Sequence, residues 1–89
     1  MSTILSEKTI AKVQDILIEQ LGVPRDQVKP EADLVMDLSA DSLDMVEIGM
    51  QMEEAFSLTI PDEEMEKVHT VADLYEALAG LLERTGQPV

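Results

Sequence analysis

Cysteine and tryptophan are absent from the 89 residues, and one phenylalanine and one tyrosine are the only aromatics. Without cysteine there is no disulfide framework, no thiolate catalysis and no cysteine-ligated zinc, a pattern that fits a reducing compartment. So few aromatics leave a core of Leu, Ile, Val and Met, which is deformable because methionine is unbranched and polarizable. Bases are scarce too: 6 Lys and Arg stand against 19 Asp and Glu, a net charge of −13. Such a field repels phosphate backbones and anionic lipid and attracts proteins bearing Lys and Arg patches, so nucleic-acid binding is disfavoured. No apolar run approaches the roughly 18 residues of a spanning helix. Residues 1–8 lack a basic stretch leading into an apolar core. The expectation is a cytoplasmic monomer with no membrane span.

What is present suffices for one small domain over residues 1–89, with 1–5 and 85–89 expected to fray. Ile10, Val13, Leu17 and Leu21 recur at helical spacing from about Ser6, and Gly22 with Pro24 supplies a stop. Residues 22–40 read as a long loop pinned to the core by Val28, Leu34, Val35 and Leu38. Asp41-Ser42-Leu43-Asp44 opens a second helix running to about Phe56, with Asp41 as its cap. Ile60-Pro61 turns the chain into a short third helix, residues 62–67. Thr70-Val71-Ala72-Asp73 then resembles a capping box, followed by a stripe of Val71, Leu74, Tyr75, Leu78, Leu81 and Leu82 that ends near Arg84. Leu58-Thr59-Ile60 is too short to support a sheet. The fold class is all-α: a four-helix bundle with three longer helices, one short helix and a long loop between helices 1 and 2.

The second helix carries two apolar stripes. At 100° per residue, Met45, Ile48, Gly49, Met52, Ala55 and Phe56 share one broad face, which is the core side. Leu43, Val46 and Met50 fall on another, bordered by Asp44, Glu47, Glu53 and Glu54. Either the 22–40 loop folds over this second stripe, or something outside the monomer reads it. Glu47, Glu53 and Glu54 have no basic neighbour on their helix, which suits docking to basic partners as well as a plain solvated face. Gly49 on the core side either leaves room for a bound chain or allows close packing against the first or last helix.

Ser42 stands one residue after the cap, exposed at a loop-to-helix junction. Asp37-Leu38-Ser39-Ala40-Asp41-Ser42-Leu43-Asp44-Met45-Val46-Glu47 closely resembles the phosphopantetheine attachment motif of acyl carrier proteins. The likeness extends downstream through Phe56, Ile60-Pro61-Asp62-Glu63-Glu64, Glu66-Lys67 and Thr70-Val71, and so covers nearly the whole chain. One departure is visible: Ser39 stands where the family usually has Gly. If that position needs positive φ, Ser39 is mildly strained.

The resemblance implies a mechanism. A separate phosphopantetheinyl transferase, using coenzyme A and a divalent metal, would place 4′-phosphopantetheine on the Ser42 hydroxyl, and acyl groups would ride on its thiol. Ser42 has no evident local base, which agrees with an acceptor that another enzyme activates. By the same resemblance, Asp41, Asp44, Glu47, Glu53, Glu54, Asp62 and Glu66 would meet basic patches on ketosynthases, reductases and acyltransferases, with Leu43, Val46 and Met50 adding apolar contacts. An acyl chain would lie against Leu34, Val35, Gly49, Met52, Ile60, Met65, Val68 and Leu74. The pathway implied is fatty acid or related lipid or polyketide biosynthesis.

The residues alone admit three other readings. A hydrolase triad from Ser42, His69 and a carboxylate is disfavoured, because a single His ahead of a capping Thr is a helix-end residue more often than a catalyst. Asp33, Asp37, Asp41 and Asp44 fail the spacing of an EF-hand loop, and no metal site is expected. The remaining rival is an acidic helical adaptor that uses the Leu43, Val46 and Met50 face without a prosthetic group.

Overall fold

A computed structural model of the chain describes residues 5–89. Helix α1 spans Glu7–Leu21. Ser6 caps its start by accepting the Thr9 N–H, and Gly22 closes it at φ 66°, donating its own N–H to the Ile18 carbonyl. A 3-10 turn at Arg25–Gln27 follows, tied back to α1 because Arg25 donates to Gln14 and pairs with Asp15. Helix α2 spans Ser42–Phe56, α3 is the five-residue Asp62–Glu66, and α4 spans Val71–Thr85. Both expected caps are complete capping boxes: Asp41 with Asp44 on α2, and Thr70 with Asp73 on α4.

The core is aliphatic. Val13 and Leu17 of α1, Ile48 and Met52 of α2, and Val71, Leu74, Leu78 and Leu82 of α4 close around Leu34 from the loop. Phe56 extends it at one end, with the Lys12 ammonium 5.6 Å from the ring centroid. Ala55, expected on the core face of α2, is exposed. The buried face comprises Ile48, Gly49, Met52 and Phe56, and Ala55 lies about 75° around the helix from its centre. Its single methyl is too short to reach inward.

The 22–40 loop is anchored by backbone bonds as well as by apolar side chains. The Leu34 N–H donates to the His69 carbonyl, Val71 N–H to Ala32 and Ala72 N–H to Pro30, forming one antiparallel bridge between Asp33 and Thr70. Val28, Ala32, Leu34, Leu38 and Ala40 are buried beneath it. Val35 is not the expected anchor: it is 53% exposed. Residues 33–38 form a single helical turn, and with Leu34 and Leu38 facing inward, Val35 must face out.

Near the termini, Leu5 is buried, Val89 packs on the core, and the Ser6 N–H donates to the Val89 carbonyl. Of the segments expected to fray, residues 1–4 lie outside the described residues.

Candidate functional site

Ser42 is the first residue of α2, exposed, and among the described residues its hydroxyl has no hydrogen-bond partner. Its position is fixed by its neighbours. Asp41 accepts the Asp44 N–H at 2.8 Å, and Asp44 accepts the Asp41 N–H at 3.2 Å through one carboxylate oxygen. Through its other oxygen Asp44 accepts from the Gln20 amide of α1 at 3.0 Å, and Gln20 accepts from Gln51 at 2.8 Å. This chain of amides clamps the start of α2 to α1. The Gln20 donor, followed by the Asp41 N–H, holds the Asp44 carboxyl below its ordinary value despite partial desolvation.

The segment leading to Ser42 is built from acids used as caps. One Asp33 oxygen accepts the N–H groups of Val35 and Met36, and Asp37 accepts the Asp33 N–H. The turn ends at Ser39, whose φ is 62° and whose N–H donates to the Val35 carbonyl. The position where Ser39 replaces glycine therefore does require the left-handed region. Ser57, the C-cap of α2, sits at φ 52°.

Leu43, Val46 and Met50 are 68%, 58% and 59% exposed, so the loop leaves the second stripe open. Val35 and the 81%-exposed Met36 add to the exposed apolar surface from the preceding turn. Met36 escaped the sequence reading. Its signal was an apolar pair, Val35-Met36, between two capping aspartates. Around the stripe, Glu47 and Glu54 are exposed. Among the described residues the ion pairs are Arg25–Asp15 and Arg84–Glu64, and neither uses an acid of α2. Glu53 differs from its neighbours, because its carboxylate accepts the Ile60 N–H at 2.7 Å and holds the α2–α3 connection.

Between α2 and α3 lies a cleft of about 640 Å³ that reaches Ser42. Met45, Gly49, Ile60, Met65 and Val68 give it an apolar lining, Val35, Val46 and Met50 border it, and Glu53, Asp62 and Glu66 put carboxylates on its walls. Of the residues expected beside an acyl chain, Val35, Gly49, Ile60, Met65 and Val68 line this space. Leu34, Met52 and Leu74 do not: each is wholly buried in the core. Met45 lines the cleft although it was assigned only to the core face. Gly49 faces neither α1 nor α4 but Met65 of α3, whose side-chain atoms lie 3.6 to 3.8 Å from where a Cβ would be.

His69 is exposed and serves through its backbone, its carbonyl accepting from Leu34 and its N–H donating to Asp73. That bond, with the Thr70 N–H, holds the Asp73 carboxyl below its ordinary value. His69 thus belongs to the α4 cap, away from Ser42.

Comparison with known proteins agrees with this geometry. The family model for the phosphopantetheine attachment site matches residues 11–78. An acyl carrier protein of Bdellovibrio bacteriovorus is 55% identical over 76 residues, covering 85% of this chain and 92% of its own length. One from Syntrophobacter fumaroxidans is 52% identical over 68 residues, covering 76% and 84%. The solution structure of a proposed acyl carrier protein from Anaplasma phagocytophilum superposes with a TM-score of 0.76 at 34% identity, covering 90% of this chain and 94% of that one. These likenesses disfavour an adaptor without a prosthetic group and a hydrolase alike. The chain belongs to the acyl carrier proteins, non-catalytic carriers whose cofactor is phosphopantetheine.

Proposed function

We propose that Ser42 is the residue to which 4′-phosphopantetheine is joined, and that the chain delivers acyl groups on that arm to enzymes of fatty acid or related lipid or polyketide biosynthesis. The observation that carries this reading is the unpartnered Ser42 hydroxyl, exposed at the first position of α2 and at the edge of an apolar cleft. The free N–H groups of a helix start and its dipole favour an added phosphate. Asp41 and Asp44 oppose it and hold the arm toward solvent, which suits a group that must travel. When attached, the arm supplies the terminal thiol that bears acyl groups as thioesters, a function this cysteine-free chain cannot perform itself.

Recognition follows from charge and exposure. A phosphopantetheinyl transferase, ketosynthases, reductases and acyltransferases with basic patches would meet Asp41, Asp44, Glu47, Glu54, Asp62 and Glu66, with Leu43, Val46 and Met50 as apolar contacts. Glu53 contributes charge there but not a free side chain. Such contacts weaken with salt and turn over quickly. The protein works as a monomer in the cytoplasm on this reading, and Val35, Gly49, Ile60, Met65 and Val68 shelter the acyl chain.

Intact-mass analysis after incubation with coenzyme A and a phosphopantetheinyl transferase tests the assignment. A single addition is expected on the wild type and none on Ser42→Ala. No addition to the wild type, or an equal one to the variant, overturns it.

A further inference from the structure

Gly49 and Met65 face each other across the cleft, and their pairing is unusual in one respect. Glycine is the poorest helix former after proline, yet it sits in the middle of α2. Packing does not require it there. A methyl group on Gly49 would meet the Met65 side chain at 3.6 to 3.8 Å, ordinary contact distance, so the resting fold has room for alanine. A bare backbone at this point matters only when Met65 has moved and something else lies on it.

Met65 is placed to move. Its side chain is partly buried, unbranched and held over Gly49 by dispersion contacts alone. The helix bearing it is five residues long with no fully buried residue, and among the described residues its ion pair to the rest of the bundle is Glu64–Arg84 at 3.7 Å. By contrast Met52, on the same side of α2 and one turn beyond Gly49, is wholly buried. The cleft therefore ends at a flexible side chain on a lightly held helix, with solid core behind it.

We propose that Met65 is a swinging plug that sets how much of an aliphatic acyl chain the cleft accepts, with Gly49 as the bare floor the chain slides over. This rests on the proposed attachment at Ser42 and on the cleft sheltering the chain. With the thioether over Gly49, only the first few carbons find cover beside Met45, Ile60 and Val68. As Met65 turns outward, each further methylene takes the place of thioether contact.

The test uses the full chain loaded with saturated acyl groups of increasing length, in the wild type and in Met65→Ile, Met65→Ala and Gly49→Ala. Melting temperature is read for each form. The methyl carbon of Met65 is followed by NMR in methionine-labelled protein, assigned by its loss in Met65→Ile. In the wild type the ratio of sheltered to exposed acyl chain should grow about fourfold per added methylene until the cleft is full. Met65→Ile, of similar bulk but stiff at its β-carbon, should level off at shorter chains, and Gly49→Ala should do the same with Met65 intact. Met65→Ala should gain from acylation at every length, starting from a lower melting temperature without the acyl group. The wild-type Met65 methyl signal should shift progressively with chain length. Length profiles identical in all four proteins, or a Met65 methyl that stays put while the melting temperature climbs, would overturn the plug. A wild type whose stability ignores chain length would overturn the sheltering cleft together with the plug, while the mass addition at Ser42 would stand by itself.

Discussion

Replacing Ser39 by glycine should stabilise the protein, and the size of the effect follows from the backbone. At φ 62° the side chain crowds the following carbonyl at a cost of about 1–2 kcal/mol. Glycine removes that crowding but gives the unfolded chain more freedom, an offset of about 0.5–1 kcal/mol. Nothing else is lost, because Ser39 is exposed and its hydroxyl is unbonded among the described residues. The net gain is about 0.5–1 kcal/mol, which for a domain of this size raises the melting temperature by about 2–8 °C. Far-UV circular dichroism melts of the unmodified protein measure it. The control is the opposite exchange: Gly80 lies within α4, and a Cβ there would meet nothing within 4 Å. Gly80→Ala should therefore also stabilise, by up to about 1 kcal/mol. A Ser39→Gly protein that melts at or below the wild type, while Gly80→Ala melts above it, would refute the claim of strain ahead of Ser42.

Leu34→Ala should cost about 2–5 kcal/mol, since its side chain is wholly enclosed. Val46→Ala, at a 58%-exposed position, should stay within about 0.5 kcal/mol of the wild type in urea titration while slowing modification by the transferase. Asp44 titrates below 3.8 when folded, so its stabilising bonds are complete above that pH and fade as pH falls through the folded value. The melting difference between wild type and Asp44→Asn should accordingly be constant near neutrality and shrink below about pH 3.8; a difference unchanged at pH 2 would contradict it. Added salt should raise the melting temperature, because a net charge of −13 is relieved by only two ion pairs among the described residues.

How much of this was legible in the sequence depended on how local the cause was. The caps at Asp41 and Thr70 could be read because their partners lie within three residues, though the full box at Asp41 came only with the fold. The two faces of α2 followed from helical periodicity, which misplaced only the short Ala55 at the margin. The contour of the loop could not be read, because it is set by bonds from Leu34, Ala32 and Pro30 to residues 69–72, far along the chain. Depth was equally hidden. Leu34, Met52 and Leu74 look like Ile60 and Val68 in a sequence, yet the first three are core and the others line the cleft. Glu53 reads as one more surface acid until the fold brings the Ile60 N–H to it. Ser39 was visible only against the family pattern, and its backbone angle gives that departure a physical meaning.

The backbone bonds that fasten the loop beside α4 have a consequence for how such a surface can diversify. Leu34, Ala32 and Pro30 join residues 69–72 through main-chain groups, and the neighbouring Val35 and Met36 point away from that seam. Side chains at 35 and 36 can therefore be exchanged without loosening the frame that displays them. A lineage could reshape the apolar surface of this turn by substituting those two letters, leaving Ser42 in the same place and the bonds that hold the loop intact.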